Sequence, residues 1–242
     1  MRLKSLLLMA AAASLAVAGC TRAADDGGFG DKVRAYLLQH PEVIEEAVQK
    51  LQEKRDAEAA DKARLALQSE RQALEHDPRD FVANPGGKIT VTEFYDYRCP
   101  HCINAAPQVL QIIHDNPDVR FVFKEMPIFG AVSEHAARTA IAVKDAGGDY
   151  LGLYRTFMST RGLNDQEIDK IARAAGIDPA KAEQGKALAA EDAQLADVRK
   201  LADKLSIDGT PTFIIGDTIV PGEDMDAVKD AIAKARAAQK AS

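Results

Sequence analysis

The chain has 242 residues, with 31 lysines and arginines against 37 aspartates and glutamates, a formal net charge of −6. No basic stripe stands out against that excess, so the composition argues against nucleic acid as a partner. The three cysteines are few, and residues 78–242 are enough chain to bury a core without structural disulfides.

Residues 1–19 carry the marks of a secretory signal, with Arg2 and Lys4 leading an apolar stretch from Leu6 to Val17. That stretch is shorter than the roughly 20 residues a membrane span needs, and no other segment comes near that length. The expected mature protein is exported, into a compartment that permits disulfides. Removing 1–19 takes away two basic residues and no acidic one, so the charge moves from −6 to −8. Val17-Ala18-Gly19-Cys20 resembles the lipobox of bacterial lipoproteins, which implies a lipid on Cys20 and a membrane tether. Ordinary cleavage near Ala23-Ala24, discarding Cys20, is the alternative. Either reading accounts for the odd cysteine.

Residues 20–30 are small, polar and glycine-rich, a flexible tether. A short amphipathic helix is expected over 31–39, with Val33, Tyr36 and Leu37 at helical spacing. Pro41 suits the first turn of a second helix, reaching to about His76, with Ile44, Val48 and Leu51 in one stripe. Beyond Leu51 this helix is too polar for a core. The segment 31–77 is either a solvated spacer or an oligomerisation segment whose apolar positions find partners on another chain; the second is the working expectation.

Asp77-Pro78 and Asn84-Pro85-Gly86-Gly87 punctuate the chain before a strand at 88–95. Then come Cys99-Pro100-His101-Cys102, an amphipathic helix to about His114, and a strand at 119–123. Strand, helix, strand is a βαβ unit. An alanine-rich helical stretch fills about 131–206. After Gly209-Thr210-Pro211-Thr212 follow a strand to Ile215, a Gly216-Asp217 turn, a strand over 218–220 and a helix over 224–238. The order predicts an α/β chain: a thioredoxin fold with a helical insertion, preceded by the N-terminal helices.

Cys-x-x-Cys after a strand and opening a helix is a redox motif by position. A structural disulfide would close a trivial loop, and a zinc site needs four ligands. Two thiolates still suit Cu(I). Cys99 sits where unpaired N–H groups and a partial positive charge favour thiolate. Pro100 fits that turn without a donor, and His101 adds stabilisation. Cys102, one turn further in, should be more buried and resolve mixed disulfides. In the strand, Glu93 interrupts the apolar alternation of Ile89, Val91 and Tyr95. If buried, its carboxyl would have a raised pKa and could exchange protons with Cys102; a solvent-open strand end is the alternative. Lys124, directly after 119–123, is a candidate partner for it.

The run from Glu93 to Cys102 resembles the active site of the DsbA family of periplasmic oxidoreductases, whose own dipeptide is Pro-His. The likeness covers about 88–242. It implies that Glu93 is the family's buried glutamate and Pro211 its cis-proline, with Thr210 presenting backbone for an unfolded client to pair as an extra strand. Residues 31–77 resemble the extension of ScsC-like (suppressor of copper sensitivity) proteins, which implies a homo-oligomer, a trimer in particular. Several active sites around one client, with threonine before the cis-proline, suit an isomerase; Pro-His suits an oxidant. The expected function is an oligomeric protein disulfide isomerase in the bacterial periplasm, a membrane-tethered lipoprotein. A DsbA-type dithiol oxidase is the alternative, and a Cu(I)-binding module using Cys99 and Cys102 is the alternative of another class. Only five methionines occur, two of them in the signal, and no Met-rich or His-rich tract supports the last. No cofactor beyond the Cys99–Cys102 disulfide is expected. The implied partners are unfolded or misoxidised exported proteins and a membrane redox partner.

Overall fold

A computed structural model describes residues 27–182 and 185–241. The signal 1–19, Cys20 and most of the tether lie outside the described residues. Gly27–Gly30, expected in the tether, already belong to the first helix. The chain divides into two units, one ending at Asp56 and one from Ala57 onward.

The first unit holds α1 (Gly27–Gln39) and the beginning of α2 (Glu42–Glu75). Pro41 sits between them, and Glu42 and Glu45 in the first turn of α2 complement its dipole. Val33, Tyr36, Ile44, Val48 and Leu51 are exposed, joined by Phe29 and Leu38 at 69% and 67%. Leu37 alone of the expected positions is partly covered.

The second unit is built on a five-stranded sheet in the order β1-β3-β2-β4-β5. The strands are β1 (Phe81–Ala83), β2 (Ile89–Tyr95), β3 (Val119–Glu125), β4 (Thr212–Ile215) and β5 (Thr218–Pro221). β2 and β3 run parallel and the other pairs antiparallel. The parallel pair needs a crossover, which α3 (Pro100–Asp115) supplies. Gly87 lets the chain enter β2 close beside β3: a Cβ there would lie 2.4 Å from the Arg120 nitrogen. The insertion comprises α4 (Ala131–Asp145), α5 (Tyr150–Ser159), α6 (Asp165–Ala174), α7 (Pro179–Ala182) and α8 (Gly185–Lys204), and α9 (Met225–Ala241) closes the fold. β1 was not expected, because three residues between two turn clusters give no readable alternation.

The sheet buries both faces. Ile89, Val91, Tyr95, Phe121, Phe123 and Phe213 pack on one side with Val109, Tyr154, Phe157 and Val228. On the other, Phe94, Met126 and Ile214 pack with Val198, Leu201 and Leu205 of α8 and with Leu67 and Leu74 of α2. The expectation that α2 is too polar beyond Leu51 to enter a core is therefore wrong. Two leucines seven residues apart lie on one stripe, and both are fully buried. The charges between them serve the rim: Arg71 pairs with Asp217 at 2.5 Å, and Glu70 with Lys204 at 2.9 Å.

Candidate active site

β2 ends at Tyr95, and the chain turns through Asp96-Tyr97-Arg98 into α3. The Asp96 carboxylate holds this turn and the loop after β3 together. It accepts from the backbone N–H of Arg98 (2.7 Å), Ile128 (2.7 Å) and Phe129 (3.0 Å) and from the Ser133 hydroxyl (2.9 Å). Cys99 is the N-cap of α3 and Pro100 opens its first turn, where a missing N–H costs nothing. Thr210-Pro211 is a cis peptide, and it stands against the cysteines: the Cys99 thiol donates to the Thr210 carbonyl at 3.1 Å.

The two cysteines occupy unlike environments. Cys99 is 2% exposed as a residue, yet its thiol is lowered from 9.0 to about 5. The largest cause is a hydrogen bond from the Cys102 thiol; burial opposes it, and the Thr210 side chain and the N–H groups of Cys102 and His101 add to the lowering. Cys102 is fully buried. Burial first, then the bond to Cys99 and the charge of Glu93, push its thiol far above the ordinary range. One sulfur is thus poised as thiolate at neutral pH and the other holds its proton.

His101 finds a partner for its imidazole in Glu223 as well as in the charge of Cys99. Its side chain is 65% exposed, and Nδ1 lies 3.1 Å from Oε1 of Glu223. Its pKa is raised, first by that hydrogen bond and then by the charges of Glu223 and Cys99. Imidazole contact with Cys99 is not among the main causes of the thiol's acidity. Glu223 lies in the loop before α9, and nothing in the local sequence marked it.

Glu93 is fully buried, so the open strand end is excluded. Neither carboxyl oxygen has a hydrogen-bond partner among the described residues. Burial raises its pKa well above the carboxylate range, and the charge of Glu125 raises it further. Lys124 is not its partner: it lies in β3 opposite Phe94, on the far face of the sheet, where its ammonium donates to Asp80 and to the Ala73 carbonyl. Glu125 was missed, although it continues the alternation Val119, Phe121, Phe123 as Glu93 does in β2. It too is buried. Among the described residues no group of three or more His, Cys, Asp or Glu side chains is placed to hold a metal ion.

A reactive thiolate capping the first helix after a central strand, with its partner thiol buried one turn on and a cis-proline against it, defines a dithiol protein of thioredoxin fold. The comparisons with known proteins narrow this. Residues 90–233 match the model of the DSBA-like thioredoxin domain, and residues 28–58 match that of the copper resistance protein ScsC N-terminal domain. The chain belongs to the DsbA-like thioredoxin family of thiol–disulfide oxidoreductases and carries an ScsC-type N-terminal segment. Among solved structures it is similar to a thioredoxin-like oxidoreductase from Silicibacter pomeroyi DSS-3, 35% identical over 69% of this chain and 97% of that one, with a TM-score of 0.63. It is also similar to Proteus mirabilis ScsC in a transitional conformation, 29% identical over 88% and 99%, with a TM-score of 0.64. A curated relative, Na(+)/H(+) antiporter NhaA 1 of Salinispora arenicola, is 28% identical over 57% of this chain. The chain spans 22% of that protein's length.

Proposed function

We propose that this protein is a periplasmic disulfide isomerase that works as a homo-oligomer, with Cys99 as its attacking group. The observation that carries the exchange chemistry is the asymmetry of the two sulfurs. A thiolate at neutral pH is the nucleophile of disulfide exchange, and a stabilised thiolate is also a good leaving group. Cys99 attacks a client disulfide and forms a mixed disulfide, expelling one client sulfur as thiolate. A second client thiolate then attacks the client sulfur, which isomerises the client and returns Cys99. If the client stalls, Cys102 gives up its proton, with Glu93 as the exchange partner, and attacks the Cys99 sulfur; the Cys99–client bond breaks and the client leaves as thiolate. Thr210 lies beside Cys99 and is the place for an extended client to pair.

The oligomer follows from the apolar side chains left uncovered on α1 and on α2 as far as Leu51. Burying each against a partner would contribute roughly 1.5–3 kcal/mol, enough in sum to hold chains together. The likeness to ScsC agrees with this, and the expected lipid on Cys20 would tether the assembly. Among the described residues no helix is long and apolar enough to cross a membrane. The test of the cysteine roles is trapping. Cys99→Ser should lose all exchange, whereas Cys102→Ser should accumulate mixed disulfides with clients on non-reducing gels. Equal trapping by both variants would sink the assignment.

A further inference from the structure

α3 carries more apolar surface than the core covers. Cys102, Ala105, Val109, Ile112 and Ile113 are buried, whereas Ile103, Pro107 and Leu110, on one helical face, remain partly or fully open to solvent. Between that face and α5 lie two cavities of about 660 and 350 Å³. They share Ile103, Met158 and Ser159 and so form one groove. From Ile103 to Leu110 the helix rises roughly 10 Å, room for about three residues of extended chain.

One end of the groove lies at the active-site turn. Tyr97 and Arg98, the residues just before Cys99, line it together with Val132 of α4. In the loop after β3, Ile128 and Phe129 are 39% and 46% exposed. They are fixed there: Asp96 accepts both of their N–H groups, and the Arg98 guanidinium donates to the Phe129 carbonyl at 3.1 Å. Among the described residues of the second unit, Leu65 is the only other exposed large hydrophobic side chain. Apolar surface gathered in one place marks a contact site. The charge on the groove is one-sided as well. The exposed Arg98, Arg155 and Arg161 line it, and no acid does, although the chain as a whole is acidic.

We propose that the groove between α3 and α5 is a side-chain subsite for the client: it takes the residues flanking the client cysteine and selects a large apolar side chain with an acidic one beside it. This rests on the exchange reading given above. The occupant follows from the covalent bond. In the mixed disulfide the client cysteine is held at Cys99, so its neighbours in sequence lie along the surface next to Cys99, where the groove begins. Thr210 and Pro211 do not line the groove, so it is a contact separate from backbone pairing at Thr210. Backbone pairing accepts any sequence, whereas a pocket for side chains discriminates.

The two parts of the selection differ in size. Taking a leucine or phenylalanine side chain out of water is worth a factor of about ten or more in binding. A carboxylate against exposed arginines adds a factor of about two to five, and salt weakens it. The apolar residue therefore dominates, and the acid refines the choice.

The test uses the reduced full chain and short peptides whose single cysteine is joined by a disulfide to a coloured aromatic thiol. Cys99 bonds to the peptide sulfur, the peptide–aryl S–S bond breaks, and the aromatic thiolate leaves and is read in a single turnover. The peptides carry Leu-Glu, Leu-Lys, Ser-Glu or Ser-Lys within three residues of the cysteine, on either side. Each rate is divided by the same protein's rate with the aryl disulfide of a small thiol, too short to reach the groove. The Leu-Glu peptide should exceed the Ser-Lys peptide by at least about tenfold. Ile103→Asp and Leu110→Asp should lose the preference for Leu. Arg155→Glu combined with Arg161→Glu should lose or invert the preference for Glu, and these exposed positions keep the test open where an aspartate variant does not fold. Equal ratios for all peptides would overturn the proposal, as would preferences unchanged in the variants that fold. Ratios that fall as protein concentration rises would also overturn it, by showing a second copy in the groove. A wild-type protein that releases no aromatic thiol even from the small disulfide would instead overturn the exchange reading itself.

Discussion

At Cys99 the acidity comes from several donors acting on one sulfur, and they differ in weight. The Cys102 thiol leads, with Thr210 and the first-turn N–H groups behind it. Cys102→Ala should therefore raise the Cys99 pKa by about a unit or more, and His101→Ala by less, as read from thiolate absorbance. A larger effect of His101 would mean that the imidazole, not the partner thiol, governs the site. The same shift links redox state to stability. A thiol lowered from 9.0 to about 5 on folding stabilises the reduced protein fully only above the unfolded value, and that contribution is lost as pH falls through about 5. The oxidised form has no such group. Thermal melts should show the reduced form gaining on the oxidised one from about pH 5 to about pH 9, and a gap independent of pH would contradict this. Beyond about pH 9 the gain should stop, because Cys99 then ionises in the unfolded chain as well, and turn into a loss, because Cys102 ionises only when unfolded.

At the scale of elements, α2 carries the lesson about what could be read in advance. Positions with strong periodicity were legible: the alternation of β2 gave both its face and the odd acid at Glu93, and Cys99-Pro100-His101-Cys102 gave the start of α3. What escaped were contacts made across long stretches of chain. Leu67 and Leu74 sit in a stretch of alanines and charges that also carries the exposed Leu65, and nothing nearby announces the sheet face formed by Phe94 and Ile214 that covers them. Glu223 and Asp80 find His101 and Lys124 only once the strands are placed, and β1 acquires its pattern only by pairing with β3. The consequence is testable. Leu74→Ala should cost about 2–5 kcal/mol in denaturant unfolding, whereas Ile44→Ala, on the exposed stripe, should leave the unfolding of the second unit unchanged. A cost under about 0.5 kcal/mol for Leu74→Ala would return the second half of α2 to the role of spacer.

For the molecule as a whole, the boundary that matters lies near residue 57 rather than 78. A truncation that removes residues 21–77 would strip Leu67 and Leu74 from the core along with the apolar N-terminal helices, so it should aggregate instead of giving a clean monomer. Removing residues 21–56 keeps the second unit intact and takes away the exposed stripe from Phe29 to Leu51. It should leave a monomer by light scattering, while the longer chain forms an oligomer. An oligomeric truncation would place the self-association elsewhere. The exchange chemistry needs one active site, but shuffling wrong disulfides gains from several sites around one client. Reactivation of scrambled ribonuclease by the two chains, at equal concentrations of active sites, therefore tests the central claim most directly. The longer chain should restore activity and the chain lacking 21–56 should lose most of it while still oxidising dithiols. Undiminished reactivation by the shorter chain would contradict the oligomeric isomerase and leave a simple oxidoreductase in its place.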